Sequence, residues 1–206
     1  MVWVWTVATG LIGSLMFSYW LGLLARRNLR TVGDGNPGGV NLLKAAGIRM
    51  GLAGIALDFL KGYIPLLLLI HYGALTGYEI VPVAIAPVVG HAFSPFLKFQ
   101  GGKAIAVTFG VWSALTIFKA SIVYALILAV MLIMDRVLRR VRSSLPESDA
   151  VQVVLGMLLV FVYLYAAGFP TTHLWCWLGI FAVLFYTHRR ELGVFLGRVI
   201  ELRGHH

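Results

Sequence analysis

Gly33-Asp34-Gly35-Asn36-Pro37-Gly38-Gly39-Val40-Asn41 lies between two strongly apolar segments and is flanked by Arg26, Arg27, Arg30, Lys44 and Arg49. Four glycines and a proline within seven residues cannot continue a helix. Glycine lets backbone N–H groups approach a ligand closely, and successive N–H groups form anion-binding nests. A polar, glycine-built loop ringed by cations at the edge of an apolar segment reads as a site for a phosphorylated molecule. The competing reading is a plain turn with the positive flanks of a cytoplasmic loop.

The chain around this loop is a membrane protein. It has 206 residues, 60% of them hydrophobic and only 12% charged, with a mean hydropathy of +0.88; a soluble domain is nearer ~45–50% apolar. Long continuous apolar runs exclude a barrel, whose strands would alternate, and leave helices. At ~20 residues per span the length allows about seven. The runs are about 3–25, 50–70, 80–97, 104–118, 120–135, 150–168 and 172–187. The third contains Pro82, Pro87 and Pro95 and the fourth is short, so either is open to being broken or re-entrant. The first run is too long and aromatic for a cleaved signal and is taken as a true span. Cys176 is the only cysteine, so no disulfide can form within the chain. The whole of 1–206 is expected to be one transmembrane domain.

Positive charge sets the expected orientation. With the N-terminus outside, the loop after the first run holds Arg26, Arg27, Arg30, Lys44 and Arg49, and the loop after the third holds Lys98 and Lys103. The loop after the fifth holds Arg136, Arg139, Arg140 and Arg142, and the tail holds Arg189, Arg190, Arg198 and Arg203. That gathers 15 of the 17 Lys and Arg on the cytoplasmic side, which predicts N-out, C-in. The net charge of +9 is therefore explained by topology and not by nucleic acid. All the unusual polar sequence then shares one face, which argues against a transporter with a midplane site and inverted repeats.

Several polar residues inside or beside the apolar runs call for a reason. Asp58 and Lys61 are three apart, on one helical face, and read as an intrahelical ion pair or as the floor of a polar pocket. His91 reads as a hydrogen-bonded bundle histidine, or as a general base or phosphate donor. Gln100-Gly101-Gly102-Lys103 runs directly into an apolar helix, whose N-terminal N–H groups and Lys103 suit phosphate. The GxxxxGK[ST] spacing is missing, which excludes a nucleotide P-loop, and no spacing of His, Cys and carboxylates suggests a metal.

Three of these runs, in order, resemble the bacterial membrane acyltransferases that use acyl phosphate to acylate glycerol 3-phosphate. That family's first motif is approximately Gly-Ser-Gly-Asn-Pro-Gly-Ala-Thr-Asn with an Arg three residues on; here it is Gly33 to Asn41 with Lys44 at the Arg place. Its Leu-Asp-Phe-Leu-Lys-Gly run is intact as Leu57 to Gly62. Its Gly-His-x-Phe-x-x-Phe-x-x-Phe-Lys-Gly-Gly-Lys-Gly run appears as Gly90-His91-Ala92-Phe93, Phe96, Phe99, Gln100, Gly101, Gly102, Lys103 and Ala104.

The resemblance implies an all-α, seven-helix integral membrane fold in the inner (plasma) membrane, with its active site and glycine-rich loops on the cytoplasmic side. It implies acyl phosphate and glycerol 3-phosphate as substrates, lysophosphatidic acid as product, the lipid bilayer as partner and no cofactor. Acyl phosphate is already activated, so no covalent enzyme nucleophile is required, and its phosphate can accept the hydroxyl proton. Carried over, the catalytic candidates are His91, Lys103, Asn36 and His188. The substrate- and phosphate-binding candidates are Gly33, Asp34, Gly35, Gly38, Asn41, Lys44, Asp58, Lys61, Gly101 and Gly102.

The chain departs from the pattern at Asp34 for Ser, Lys44 for Arg, Gln100, Ala104, and Glu191 for the Asn of a tail His-x-x-Asn that begins here at His188. Asp34 and Glu191 add negative charge where phosphate is expected, so Asp34 is expected to engage a neighbouring cation, with Lys44 the best local candidate. A divergent member acylating another small acceptor, a transporter of phosphorylated lipid or anion, and a noncatalytic partner are the competing functions.

Overall fold

The apolar runs all fold as helices in the computed structural model, which describes residues 1–139 and 145–204. Among the described residues there are nine α-helices and no strand: α1 Val2–Ser14, α2 Phe17–Leu24, α3 Gly39–Ala46, α4 Ile48–His71, α5 Ile80–Ala92, α6 Ile105–Thr116, α7 Lys119–Arg139, α8 Pro146–Ala166 and α9 Thr171–Gly204. Arg140 and Arg142, counted above toward topology, lie outside the described residues.

Among the described residues, five stretches are long and apolar enough to cross a membrane: Val2–Leu24, Ile48–His71, Gly77–Leu97, Lys119–Leu138 and Pro146–Ala166. The two remaining apolar runs differ from simple spans. Helix α6 has 12 residues, about 18 Å of rise against a hydrocarbon thickness of roughly 30 Å. It is a half-length helix, and Val107, Thr108, Val111, Trp112 and Ser113 are all buried in the bundle. Helix α9 opens with an aromatic-rich half and runs on to Gly204, well past the expected end at 187.

The first span is broken at Leu15 and Met16, where Leu15 is extended. Carbonyls released by such a break need donors in an apolar medium. They find them: Ser94 Oγ donates to Ser14 O at 2.7 Å, and Lys61 Nζ donates to Leu15 O. The spans approach closely because small residues sit at the crossings. A Cβ on Gly90 would lie 2.1 Å from Gly10 O, and one on Gly110 would lie 2.1 Å from Phe59 O. These two crossings clamp α1 to α5 and α4 to α6. The core around α6 is completed by Tyr124, Met157, Leu164, Ile180 and Leu184, all fully buried. The result brings three elements to one end of the bundle: the loop before α3, the loop before α6, and α9 from Tyr186 to Glu191.

Candidate active site

Below those loops lies a buried polar network. Lys61 Nζ is 2.9 Å from Asp58 Oδ1 and 2.8 Å from His91 Nδ1, and also meets the Leu15 carbonyl. Ser18 Oγ donates to Asp58 Oδ2 at 2.5 Å. An ammonium has three donors and no acceptor, and these three contacts use them all. His91 Nδ1 must therefore accept, which puts the ring proton on Nε2. The Nε2–H faces the Gly101-Gly102 turn: a Cβ on Gly102 would lie 2.4 Å from it. Sequence left His91 open as base or donor; its surroundings make it a neutral donor. Asp58 and Lys61 are a buried ion pair that splints the α1–α2 break and orients His91, and Asp58 also lines a cavity described below.

The first glycine loop is braced from within. Gly33 and Gly35 have φ of +58° and +72°, a conformation that side chains disfavour. Asn41, buried at the start of α3, donates through Nδ2 to Asp34 Oδ1 at 2.8 Å and to the Asn36 carbonyl at 2.9 Å. The Asp34 carboxylate also accepts from the Asn36 N–H at 3.2 Å. Asn41 is thus a brace, not a lining group. Gly38 gives the extended residue before α3 and leaves room for the Asn36 amide, 2.9 Å from where its Cβ would stand.

The second glycine loop corrects one expectation. The amides of Gly101 and Gly102 do not point at open space. They donate to the carbonyls of Ala92 and His91, each at 3.0 Å, and so cap the C-terminus of α5. Glycine is required there by close approach, since a Cβ on Gly101 would lie 1.9 Å from His91 O. The unpaired N–H groups lie one turn on, at the start of α6, where the first helical bond is from Thr108 N to Ala104 O. The start of α3 is the same, with its first bond from Leu42 N to Gly38 O. Each helix offers free donors and a positive dipole end.

Lys103 joins the three elements. Its Nζ is 2.7 Å from Asp34 Oδ2 and 2.8 Å from Glu191 Oε1. The expected partner for Asp34 was Lys44; the structure gives Lys103, because loop closure brings residue 103 over the first loop. Lys44 is exposed, with its Nζ 3.3 Å from where a Gly33 Cβ would stand, and lines neither cavity. Burial pulls the Asp34 carboxyl upward, but the bond and charge of Lys103, together with the hydrogen bonds from the Asn36 N–H and the Asn41 amide, outweigh it and hold the group below its ordinary value. Burial likewise disfavours the Lys103 ammonium, and its two carboxylate partners overcome that and raise it.

Two cavities meet at this point. One, of about 390 Å³, is polar and open, lined by both glycine loops, Phe93, Tyr186 and Thr187. Its charged groups are Arg30, Lys103, Arg189 and Arg190 against Asp34 and Glu191, four cations to two carboxylates, an excess that suits a phosphate. The other, of about 250 Å³, has apolar walls from Val40, Ile55, Ile105 and Phe109, with Asp58 and His91 at its base. Asn36 and Lys103 line both. The starts of α3 and α6 open on the smaller one. No group of three His, Cys, Asp or Glu able to hold a metal occurs among the described residues.

Sequence reasoning used Arg30 as one of the cations flanking the first loop and Arg189 and Arg190 in the topology count, and named none of the three as a site residue. The signal was there: Arg30 is three residues before the first loop, and the Arg pair follows His188 directly. Arg30 bonds the Gln100 carbonyl, tying the two loops, and Arg189 stacks on Tyr186 at 3.8 Å. His188 is buried, its Nδ1–H donating to Leu184 O at 2.8 Å, and it lines neither cavity. It stands behind the cleft, not in it.

Comparison with known proteins places this geometry. The family model described as glycerol-3-phosphate acyltransferase matches residues 3–197. Glycerol-3-phosphate acyltransferase 1 of Thermotoga maritima is 37% identical over 191 residues, covering 90% of this chain and 93% of its own. The glycerol-3-phosphate acyltransferase of Aquifex aeolicus is 30% identical, covering 88% of each. A crystal structure of the integral membrane glycerol 3-phosphate acyltransferase PlsY, in its glycerol 3-phosphate form, superposes with a TM-score of 0.81 at 26% identity, covering 95% of this chain and 92% of that one. The lysophosphatidic acid form of the same enzyme gives 0.80.

Proposed function

This chain belongs to the glycerol-3-phosphate acyltransferase family, and from that premise we propose that it transfers a fatty acyl group from acyl phosphate to glycerol 3-phosphate, giving lysophosphatidic acid. The observation that carries the reading is the pair of cavities, one polar and cationic, one apolar, that share Asn36 and Lys103. A transfer between a water-soluble phosphate and a lipid needs two such chambers with a common border.

In this reading the acceptor phosphate sits on Arg30, Arg189 and Arg190. The acyl chain lies along Val40, Ile55 and Phe109. The acyl carbonyl comes to the border, where the Asn36 amide and Lys103 face it, and the donor phosphate meets the free N–H groups at the starts of α3 and α6. The acceptor hydroxyl oxygen attacks the carbonyl carbon, and the bond from that carbon to the phosphate oxygen breaks. The leaving phosphate keeps the electron pair and takes up the hydroxyl proton. The chain's contribution is position and electrostatics: helix dipoles, Lys103, and a neutral His91 held as donor by Lys61. The bundle lies in the cytoplasmic membrane with this end toward the cytosol, on the strength of the positive-inside count.

The test is incubation of purified protein with glycerol 3-phosphate and acyl phosphate, acyl-coenzyme A or acyl carrier protein in turn, with mass analysis of the product. Lysophosphatidic acid from acyl phosphate alone is expected. Product from a thioester donor and none from acyl phosphate would overturn the donor assignment. A transporter is disfavoured because the polar residues collect at one end instead of lining both halves of a path.

A further inference from the structure

Two membrane spans end side by side at the end of the bundle that carries the cleft. The stretches Val2–Leu24 and Gly77–Leu97 stop at Leu24 and Leu97, and the rings of Trp20 and Phe96 meet edge-on at 5.7 Å. Just past these ends stand Arg26, Arg27 and Lys98, all exposed and none with a carboxylate partner among the described residues. None of the three lines either cavity, so acyl transfer as read above leaves these cations unused.

The backbone under two of them is unusual. Arg26 and Lys98 have φ of +56° and +53°, a left-handed conformation that glycine adopts at least cost. Both sit in closed turns. The Arg26 N–H donates to Leu23 O at 2.9 Å and the Arg27 N–H to Gly22 O at 2.8 Å, which ends α2. The Lys98 N–H donates to Pro95 O at 3.2 Å. Orientation by positive charge accounts for cations past the end of a span. It does not account for long charged side chains at two positions that favour glycine. The surface beside them is apolar: Leu24 is 77% exposed and Phe96 55%. An apolar groove of about 440 Å³ runs between α1 and α5 along Val7, Leu11, Ala86 and Val89, and its lining reaches Ser14 and Pro95, the residue before Phe96. From Thr6 to Ser14 it follows α1 for about 12 Å.

We propose that this rim binds one anionic phospholipid of the leaflet on the cleft's side. Its headgroup phosphate sits among Arg26, Arg27 and Lys98, and an acyl chain runs past Trp20 and Phe96 toward the α1–α5 groove. The chemistry matches at both ends. Lys and Arg clustered just outside a span attract anionic headgroups, aromatic rings favour that depth, and a chain suits the groove. An acidic soluble protein would match the charge and leave Leu24 and the groove unmatched. The site is separate from the reaction and does not depend on the acceptor. It reaches the cleft only along the chain: Lys98 is followed by Phe99 and Gln100, which line the cleft, so a bound lipid steadies the turn at its edge.

The test is native mass spectrometry of the full chain, released from micelles that contain phosphatidylglycerol and phosphatidylcholine of the same chains in equal amounts. Wild type is expected to retain phosphatidylglycerol over phosphatidylcholine by about ten- to a hundredfold, each of three cations drawing an anionic headgroup roughly fivefold. In the triple variant Arg26→Gln, Arg27→Gln, Lys98→Gln the preference should fall to about threefold or less. The double variant Arg26→Gly, Lys98→Gly suits both left-handed turns, so it should unfold no more readily than wild type and still lose most of the preference. It serves where the triple variant does not fold. Arg136→Gln, which removes an exposed cation on α7, should leave the preference unchanged. A preference that survives both sets of changes, or that Arg136→Gln lowers as much, overturns the proposal and leaves a diffusely positive end without a site. A wild type that retains both lipids alike overturns it as well.

Discussion

Replacing Lys103 with Met removes the one cation that separates two carboxylates. Nζ lies 2.7 Å from Asp34 Oδ2 and 2.8 Å from Glu191 Oε1, so those oxygens are at most about 5.5 Å apart. Two like charges at ~5.5 Å repel by about 0.8 kcal/mol in bulk water and about 3 kcal/mol at an effective dielectric near 20. That repulsion is present in wild type too, where the ammonium's two attractions offset it; removing them leaves it unopposed, and with side chains 23% and 19% exposed the loss should be roughly 1–3 kcal/mol of stability near pH 7. The assay is reversible unfolding in mixed detergent micelles, comparing wild type with Lys103→Met. The loss should shrink when Asp34→Ser is added, since one of the two charges is then gone. It should also shrink as the pH approaches 4, because repulsion raises a carboxyl's affinity for a proton and protonation relieves it. A loss that persists unchanged in both circumstances would mean that Lys103 stabilises the end of the bundle by packing and not by joining two anions.

Other consequences follow from the same geometry. Lys103→Ala should lower the rate of acyl transfer by about ten- to a hundredfold, the worth of a charge-assisted contact at the border of the two cavities; normal turnover would remove Lys103 from the reaction. Asp34→Ser, which frees Lys103 from one anion, should lower the KM for glycerol 3-phosphate by about three- to tenfold, and a raised KM would show that Asp34 itself holds substrate. Because the Asp34 carboxyl is held below its ordinary 3.8, the stability it adds is full above about pH 4 and is lost as pH falls through the depressed value. Because Lys103 is raised above its ordinary 10.5, its stability is full below about 10.5 and is lost as pH rises through the higher value. Unfolding measured across pH should therefore show a plateau between those limits that Lys103→Met removes. For orientation, Tyr78→Cys should react with an impermeant thiol reagent from outside and Arg190→Cys only after the cytoplasmic face is opened, against a native Cys176 that is buried; the reverse pattern would invert the bundle.

The apolar runs were legible because helix burial in lipid is written in continuous hydropathy, and a charge count along the chain needs no tertiary structure. What was not legible was length in three dimensions. The shortness of the fourth run left it open to being broken or re-entrant, but nothing local in Ile105–Thr116 says that it is sheathed by other helices, and Gly13-Ser14 just before Leu15 is too common a pair in spans to announce a break by itself. The break is made tolerable from a distance, by Lys61 and Ser94 on other elements. The glycine loops were legible as loops but their donors were not. Sequence shows that Gly101 and Gly102 are flexible and near Lys103; only the fold shows that their amides close the end of α5 and that the open donors belong to α6.

The departures from the family pattern carry the same lesson. Read one at a time, Asp34 and Glu191 each place an anion where phosphate should bind, which argues against the acceptor. Read in space, both fall on Lys103, although 69 and 88 residues separate them from it. The ammonium absorbs one charge and is shared with the other, while three arginines line the same cleft. The carboxylates therefore alter the acceptor site without cancelling its charge. Both carboxylates are engaged by the same ammonium instead of standing free in the cleft. The altered residues are therefore compatible with the glycerol 3-phosphate reading, because each finds a cation within the protein.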